Sequence, residues 1–389
     1  MDFALDDEQS LLVNTIRRWS ERGLRAWSAD ADRQGTPPAA LWGAAAELGL
    51  LLDAVPVAAG GLLEGVDGGA GTGSEAGDGS GYSHLARALR GVELGRGCAA
   101  LAALCESNVE PALAVGRWGS RAARDSLYGA LGADVANGAP PALAVTAHDF
   151  YERLAIAEGS GGALVLRGRL GPLPGLSLAS HVLVAGRAGG DPVLLLLPVS
   201  VGRLVALDPP PSGWRAAAWG ALELDGAVVP ADLVLARGAA AAEAVSRVMS
   251  WYRVGLAARA VGVATAAIEH AAAYGEERIQ FGQPIGKFES LARMRDENQT
   301  AIAAARLLVL QAAWEIDRGL ASAADSASRA RDLAARVLAR AAIDAVQIFG
   351  GYGFVNDFPV EKLMRDARAF EVLGGNEAFA RVLAAVEEP

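Results

Sequence analysis

The chain has 389 residues, 52% of them hydrophobic and 6% aromatic, with a formal charge of −10 and two cysteines. That is enough apolar material for a large core or several cores, and the length suggests two or three domains. The acidic balance argues against a general nucleic-acid surface, and Cys98 and Cys105 lack both the number for a disulfide framework and the spacing for a metal site.

From the N-terminus, Asp6 reads as a helix cap with Gln9 closing a capping box, and Leu12, Ile16 and Trp19 follow at helical spacing. The first twenty residues carry four acids and no apolar leader core, so no signal peptide is expected, and a reduced, cytoplasmic setting fits. Pro37 and Pro38 open a second helix through Leu41, Trp42 and Leu48, and Gly49 ends it. Residues 58–81 are rich in Gly, Ala, Ser and acids and read as a loop. The run Gly71-Thr-Gly-Ser-Glu-Ala76 matches a dinucleotide-binding pattern, but no strand precedes it and no apolar helix directly follows it. Helical patterning returns from Tyr82 to about Leu131.

Between about Leu143 and Arg237 the period changes. Short apolar runs at Ala163–Leu166, Val182–Ala185 and Val193–Leu197 alternate with Gly and Pro clusters, as β-strands do. From Ala239 onward the pattern is helical again. The reading is an α+β, mostly α chain: an N-terminal helical domain (1–140), a central β domain (141–238) and a C-terminal four-helix bundle (239–389). No apolar run approaches the roughly 20 residues that cross a bilayer. His84, His148, His181 and His270 show no ligand spacing, and no metal is expected.

Three C-terminal segments carry chemistry. They are Arg278-Ile-Gln-Phe-Gly-Gln-Pro-Ile-Gly-Lys-Phe288, Gln347-Ile-Phe-Gly-Gly-Tyr-Gly-Phe354 and Pro359-Val-Glu-Lys-Leu-Met-Arg-Asp-Ala-Arg368. Arg278 offers a forked donor suited to a pyrophosphate, Gly350 and Gly351 let backbone approach a ligand closely, and Gln347 can hydrogen-bond a nucleotide. A tight helix crossing with a surface ion pair is the other reading of these residues. In order and spacing the three segments resemble the acyl-CoA dehydrogenase family, as do Met1–Gln9, Leu41-Trp42, Glu47–Leu50, Val55-Pro56, Gly60-Gly61 and Glu93–Arg96.

The resemblance implies an FAD flavoprotein that oxidises the Cα–Cβ bond of an acyl thioester, carried on CoA or an acyl carrier protein. It implies a homodimer or homotetramer, or a heteromer with a paralogue, and an electron-acceptor flavoprotein. Arg278 and Phe281 would touch the FAD of their own subunit, while Gln347, Gly350 and Gly351 would reach that of a neighbour. Thr146 would meet the flavin, and Arg253 would face the substrate. Other features depart from the family. Of its Thr-Glu-Pro-x-x-Gly-Ser-Asp run only Thr146 remains, and Pro172 and Pro174 stand where ring-contacting residues are usual. The two positions that carry the catalytic Glu hold Gly374 and Tyr252, with Glu371 and Glu377 flanking the first as weak candidates. Restoring a carboxylate as Gly374→Glu would be expected to raise turnover. Arg259, where the family has a small residue, reads equally as an anion contact or a snorkelling surface side chain. The rival readings are a non-catalytic subunit that completes a paralogue's FAD site, and a diverged oxygen-using flavoenzyme.

Overall fold

The computed structural model describes residues 4–64, 82–133, 143–148 and 153–374. Gly71–Ala76 and Glu377 lie outside the described residues. Helix α1 (Asp7–Trp19) starts with the capping box read from the sequence: Asp6 Oδ1 accepts from the Gln9 amide at 2.8 Å, and Gln9 Oε1 accepts from the Asp6 amide at 3.3 Å. A π turn at Ser20–Leu24 carries the chain straight into α2 (Arg25–Gln34), which Gly35 ends in the left-handed conformation. Helix α3 (Ala40–Glu47) follows Pro37 and Pro38. Helices α4 (His84–Gly97), α5 (Ala99–Cys105), α6 (Val109–Trp118) and α7 (Arg121–Ala133) complete the first helical region.

Among the described residues, eight strands form the central sheet: β1 (Leu143–His148), β2 (Arg153–Glu158), β3 (Leu164–Leu173), β4 (Ala179–Ala188), β5 (Asp191–Pro198), β6 (Arg203–Val205), β7 (Gly220–Val229) and β8 (Val234–Arg237). The path runs β6-β7-β3-β2-β4-β5-β8, with β1 lying parallel on β4. Val193–Leu197 of β5 are all buried, as their unbroken apolar run requires. The β3–β7 register slips between Leu170 and Leu173, around Pro172, because proline has no N–H for the ladder.

The C-terminal region holds α8 (Gly238–Glu277), the hairpin β9 (Ile279–Gln280) and β10 (Gln283–Pro284), then α9 (Glu289–Asp317), α10 (Ala323–Phe349) and α11 (Pro359–Val372). Helix α10 packs on α8, α9 and α11, and α8 also packs along α4. That last crossing is a backbone contact. A Cβ at Gly95 would lie 2.3 Å from the Arg259 carbonyl oxygen, and one at Gly262 would lie 2.0 Å from that of Val92. The two glycines therefore bring α4 and α8 close enough for side chains on either to share one buried cluster. Among the described residues, no helix is long and apolar enough to cross a membrane.

Candidate functional site

Two features stand out, one at the C-terminal end of α8 and one beside its middle. The first is an open cleft of about 500 Å³ lined by Tyr274, Arg278, Gln280, Ile285, Ile348, Phe349, Gly351, Tyr352 and Val355. Arg278 caps α8, its amide donating to the Tyr274 carbonyl at 2.9 Å, and its carbonyl accepts from Ile285 at 2.8 Å across the hairpin. The hairpin tip is Phe281-Gly282, with φ of +50° and +79°. Two central residues at positive φ make the tight turn that matches strand twist, but glycine tolerates that conformation and phenylalanine does not. Phe281 is moreover 94% exposed, with an edge-on contact to Phe288.

On the facing wall, α10 ends at Gly350, with φ +59° and ψ −132°, a conformation open to glycine and little else. A Cβ on Gly350 or Gly351 would meet nothing within 4 Å, so this backbone is open to a ligand. Gln347 is exposed beside it. Tyr274 stacks on Phe349 with centroids 4.2 Å apart, and the Arg278 guanidinium stands 5.7 Å from the Tyr352 ring centroid. The two motifs therefore build one cleft within a single chain. Arg278 and Gly351, which the resemblance assigns to the flavins of different subunits, line the same cleft of this chain.

The second feature is a cavity of about 30 Å³ lined by Ala103, Glu106, Ser107, Glu110, Val145, Thr146, Pro174, Trp214, Tyr252 and Arg259. It brings together Thr146 from β1, Pro174 after β3 and Tyr252 from α8, which the sequence had associated with ring and substrate. The Thr146 hydroxyl is buried with no hydrogen-bond partner among the described residues. An orphaned buried hydroxyl costs free energy unless a ligand satisfies it, so this position fits a polar ring edge. Pro174 has no N–H to offer to such a ring.

Glu106, Glu110 and Arg259 of the cavity wall belong to an ion cluster that the sequence did not reveal. Glu106 is 1% exposed; Arg90 Nε donates to it at 3.1 Å, Arg259 Nη1 binds its other oxygen, and Arg87 Nε lies 3.9 Å away. Arg87 also pairs with Glu110 at 2.7 Å, and Arg90 with Asp53 and the Tyr82 hydroxyl. Burial pushes the Glu106 pKa up, but the three guanidiniums outweigh it and hold the carboxyl below its ordinary range. Of the two readings of Arg259, the anion contact holds: the residue is 4% exposed, and the protein itself supplies the anion. A signal existed, since Glu106 and Glu110 are four residues apart in an otherwise Ala- and Leu-rich stretch.

The remaining sequence candidates lie elsewhere. Gly374, at φ +83°, is buried, and its carbonyl accepts from Arg253 Nε at 3.0 Å. Arg331, 2% exposed, holds the carbonyls of Phe370, Glu371 and Leu373. Both arginines thus tie down the end of α11. The Glu371 carboxylate pairs with Arg368 at 2.6 Å on the surface and lines neither the cleft nor the cavity. Trp214, missed by sequence reading, sits at φ +51° because its amide is drawn to Asp366 Oδ1 at 2.7 Å. Its ring meets Phe370 edge-on at 4.9 Å.

Known proteins share this architecture. The model of the acyl-CoA dehydrogenase N-terminal domain matches residues 6–132, and that of the C-terminal domain matches residues 242–386. An acyl-CoA dehydrogenase of Bacillus subtilis is 42% identical over 131 residues, which are 34% of this chain and 34% of that protein. The alignment thus spans about a third of that relative's length. The fold of butyryl-CoA dehydrogenase from Megasphaera elsdenii superposes with a TM-score of 0.78 at 24% identity, covering 99% of each chain. An FAD complex of PigA superposes with a TM-score of 0.80 at 20% identity, covering 100% of this chain and 99% of that one. The two domain models between them span most of the sequence in the family's own order, and the chain belongs to the acyl-CoA dehydrogenase family.

Proposed function

We propose that the chain is an FAD flavoprotein acting on an acyl thioester, with its working unit an oligomer and its domain boundaries near residues 140 and 238. The observation that carries this reading is the cleft in which Arg278, Gly351 and Tyr352 meet. Arg278 would bind the pyrophosphate, the Gly350–Gly351 backbone would lie along the nucleotide, Gln347 would hydrogen-bond it, and Phe281 would close over it. Thr146 would satisfy its orphaned hydroxyl on the ring. When bound, FAD supplies a hydride acceptor at N5. The chain's own share would be to hold the thioester across that ring; no residue is assigned to accept the α proton.

The distance between the two features supports an oligomer. At about 1.5 Å per residue, roughly 28 to 39 Å of α8 separates Arg259 and Tyr252, at the cavity, from Arg278, at the cleft. That is longer than FAD reaches from ring to adenine, so one chain's cleft would serve a flavin whose ring lies in another chain's cavity. The exposed apolar groups on the hairpin and after α10, Ile279, Phe281, Tyr352, Phe354 and Val355, suit the subunit contact this requires.

A second reading has its own support. No uncommitted carboxylate stands at the cavity among the described residues: Glu106 is held by three arginines and Glu110 by one. A chain that keeps the nucleotide cleft but lacks an available base would serve as a non-catalytic subunit completing a paralogue's site. Purification decides. A yellow oligomer that bleaches on addition of an acyl thioester supports the enzyme. A colourless chain that takes up flavin only with a paralogue supports the second reading.

A further inference from the structure

Four aromatic side chains from three distant stretches of the chain stand in one row. Trp118, at the end of α6, stacks on Trp251 of α8 with centroids 5.9 Å apart and planes 23° apart. Trp251 stacks on His84 at 5.6 Å and 17°, and His84 meets Tyr82 edge-on at 5.3 Å. These are the offset-stacked and edge-on arrangements of rings in contact. Trp118 is half-buried, while Trp251, His84 and Tyr82 are buried, so the row runs from the surface into the interior without a break. Its inner end meets a proton acceptor. The Tyr82 hydroxyl donates to Asp53 Oδ2 at 2.7 Å and accepts from Arg90 Nη2 at 2.7 Å. Burial keeps this phenol protonated, its pKa pushed well above the ordinary tyrosine value. A protonated phenol held against a carboxylate can lose a proton and an electron together. Tyr128 shows the contrast: its hydroxyl donates to the Ala112 carbonyl at 2.9 Å, and a backbone carbonyl is no base.

We propose that Tyr82 is a redox-active tyrosine and that Trp118, Trp251 and His84 form its route to the surface. Trp118 gives one electron to an external one-electron oxidant and becomes a radical cation. Trp251 then refills Trp118. Tyr82 refills Trp251 across the His84 ring and passes its hydroxyl proton to Asp53. In balance, the oxidant has gained one electron and both indoles are back in their starting state. A neutral tyrosyl radical remains beside a protonated Asp53, and its oxygen still accepts from Arg90. Tyrosine that can release its proton is easier to oxidise than tryptophan, so the electron moves downhill along the row. The path needs no bound flavin, so its success or failure leaves the FAD reading where it stands.

The test is pulse radiolysis of the purified full-length protein, with the azide radical as the one-electron oxidant because it attacks tryptophan in preference to tyrosine. Transient absorption should show the tryptophyl band decaying as a tyrosyl band grows, at a rate independent of protein concentration. Tyr82→Phe should remove more than half of the tyrosyl absorbance, and Trp118→Phe should lower it too. Trp314→Phe is the control. Trp314 is half-buried beside the Arg318 guanidinium at 5.6 Å, as Trp118 is beside that of Arg117 at 5.5 Å, but it has no ring neighbour among the described residues. Trp314→Phe should leave the tyrosyl yield unchanged. Three results each overturn the proposal: no tyrosyl growth in the unaltered protein, a yield that Tyr82→Phe does not change, or equal yields from Trp118→Phe and Trp314→Phe. The comparison of the two tryptophan variants decides whether or not Tyr82→Phe folds.

Discussion

Replacing Glu106 by glutamine is the most direct probe of the buried cluster. The substitution keeps the shape but leaves three buried guanidiniums facing two carboxylates, and it weakens the contacts from Arg90 and Arg259. Breaking a buried ion cluster by removing one partner costs about 3–5 kcal/mol, because the charge left behind is desolvated and uncompensated. Among the described residues, Arg259 forms its salt bridge with Glu106. Arg259→Met should therefore restore the balance in the Glu106→Gln background while its side chain fills the same channel. We expect the double variant to be more stable than the sum of the single effects by about 1–3 kcal/mol, the range for residues in direct contact. The assay is urea unfolding followed by tryptophan fluorescence, comparing midpoints at constant slope. A Glu106→Gln cost under about 1 kcal/mol, or strict additivity in the double variant, would mean that the charges are screened by water rather than buried together, and the cluster would lose its structural role.

The same carboxylate sets an acid limit. Because its folded pKa lies below the unfolded value, its contribution is present above the ordinary carboxylate range, around pH 4, and is lost as pH falls through the lower folded value. Acid titration of stability should show this loss in the unaltered protein and a shallower slope in Glu106→Gln. Phe281→Gly should raise the melting temperature of dissociated chains, by relieving a positive-φ residue worth about 1 kcal/mol, yet lower flavin content; a variant that binds FAD normally would remove Phe281 from the site. Gly374→Glu, which the sequence suggests as a rescue, should instead destabilise the protein by about 1–3 kcal/mol. The position has φ +83°, and a Cβ there lies 3.0 Å from Leu256 Cδ2 and 3.4 Å from Arg331 Nε. A rise in turnover without loss of melting temperature would show that the loop adapts.

What the sequence disclosed depended on how far apart the interacting residues lie. The α1 capping box joins Asp6 to Gln9, one helical turn away, and was legible from spacing alone. The alternation of helical and strand periods gave the order of the three regions, because burial on one face imposes the period directly. The segments around Arg278 and Gly350 were legible as residue types, but not as one cleft, since only the packing of α8 against α10 brings Arg278 beside Tyr352. The ion cluster was missed for the same reason. Arg259 meets Glu106 across 153 positions, and Arg87 reaches the Trp251 carbonyl across 164, through a crossing that two glycines permit. Polar residues scattered on Ala-rich helices look alike whether they face water or one another. The conformation of Trp214 follows from Asp366, 152 positions away, so no local signal announced it.

If the cleft holds FAD for an oligomer, flavin and assembly cannot be separated. Flavin absorbance and mass per assembly should be measured together by size-exclusion chromatography with light scattering, on the unaltered chain and on Arg278→Ala, alone and after mixing with paralogues from the same genome. Flavin is expected only in assemblies of two or more chains. FAD affinity should fall roughly tenfold or more in Arg278→Ala, since charge-assisted hydrogen bonds contribute about 1.5–3 kcal/mol. A monomer carrying one FAD per chain, or an Arg278→Ala variant with unchanged flavin affinity, would contradict a shared flavin site at this cleft.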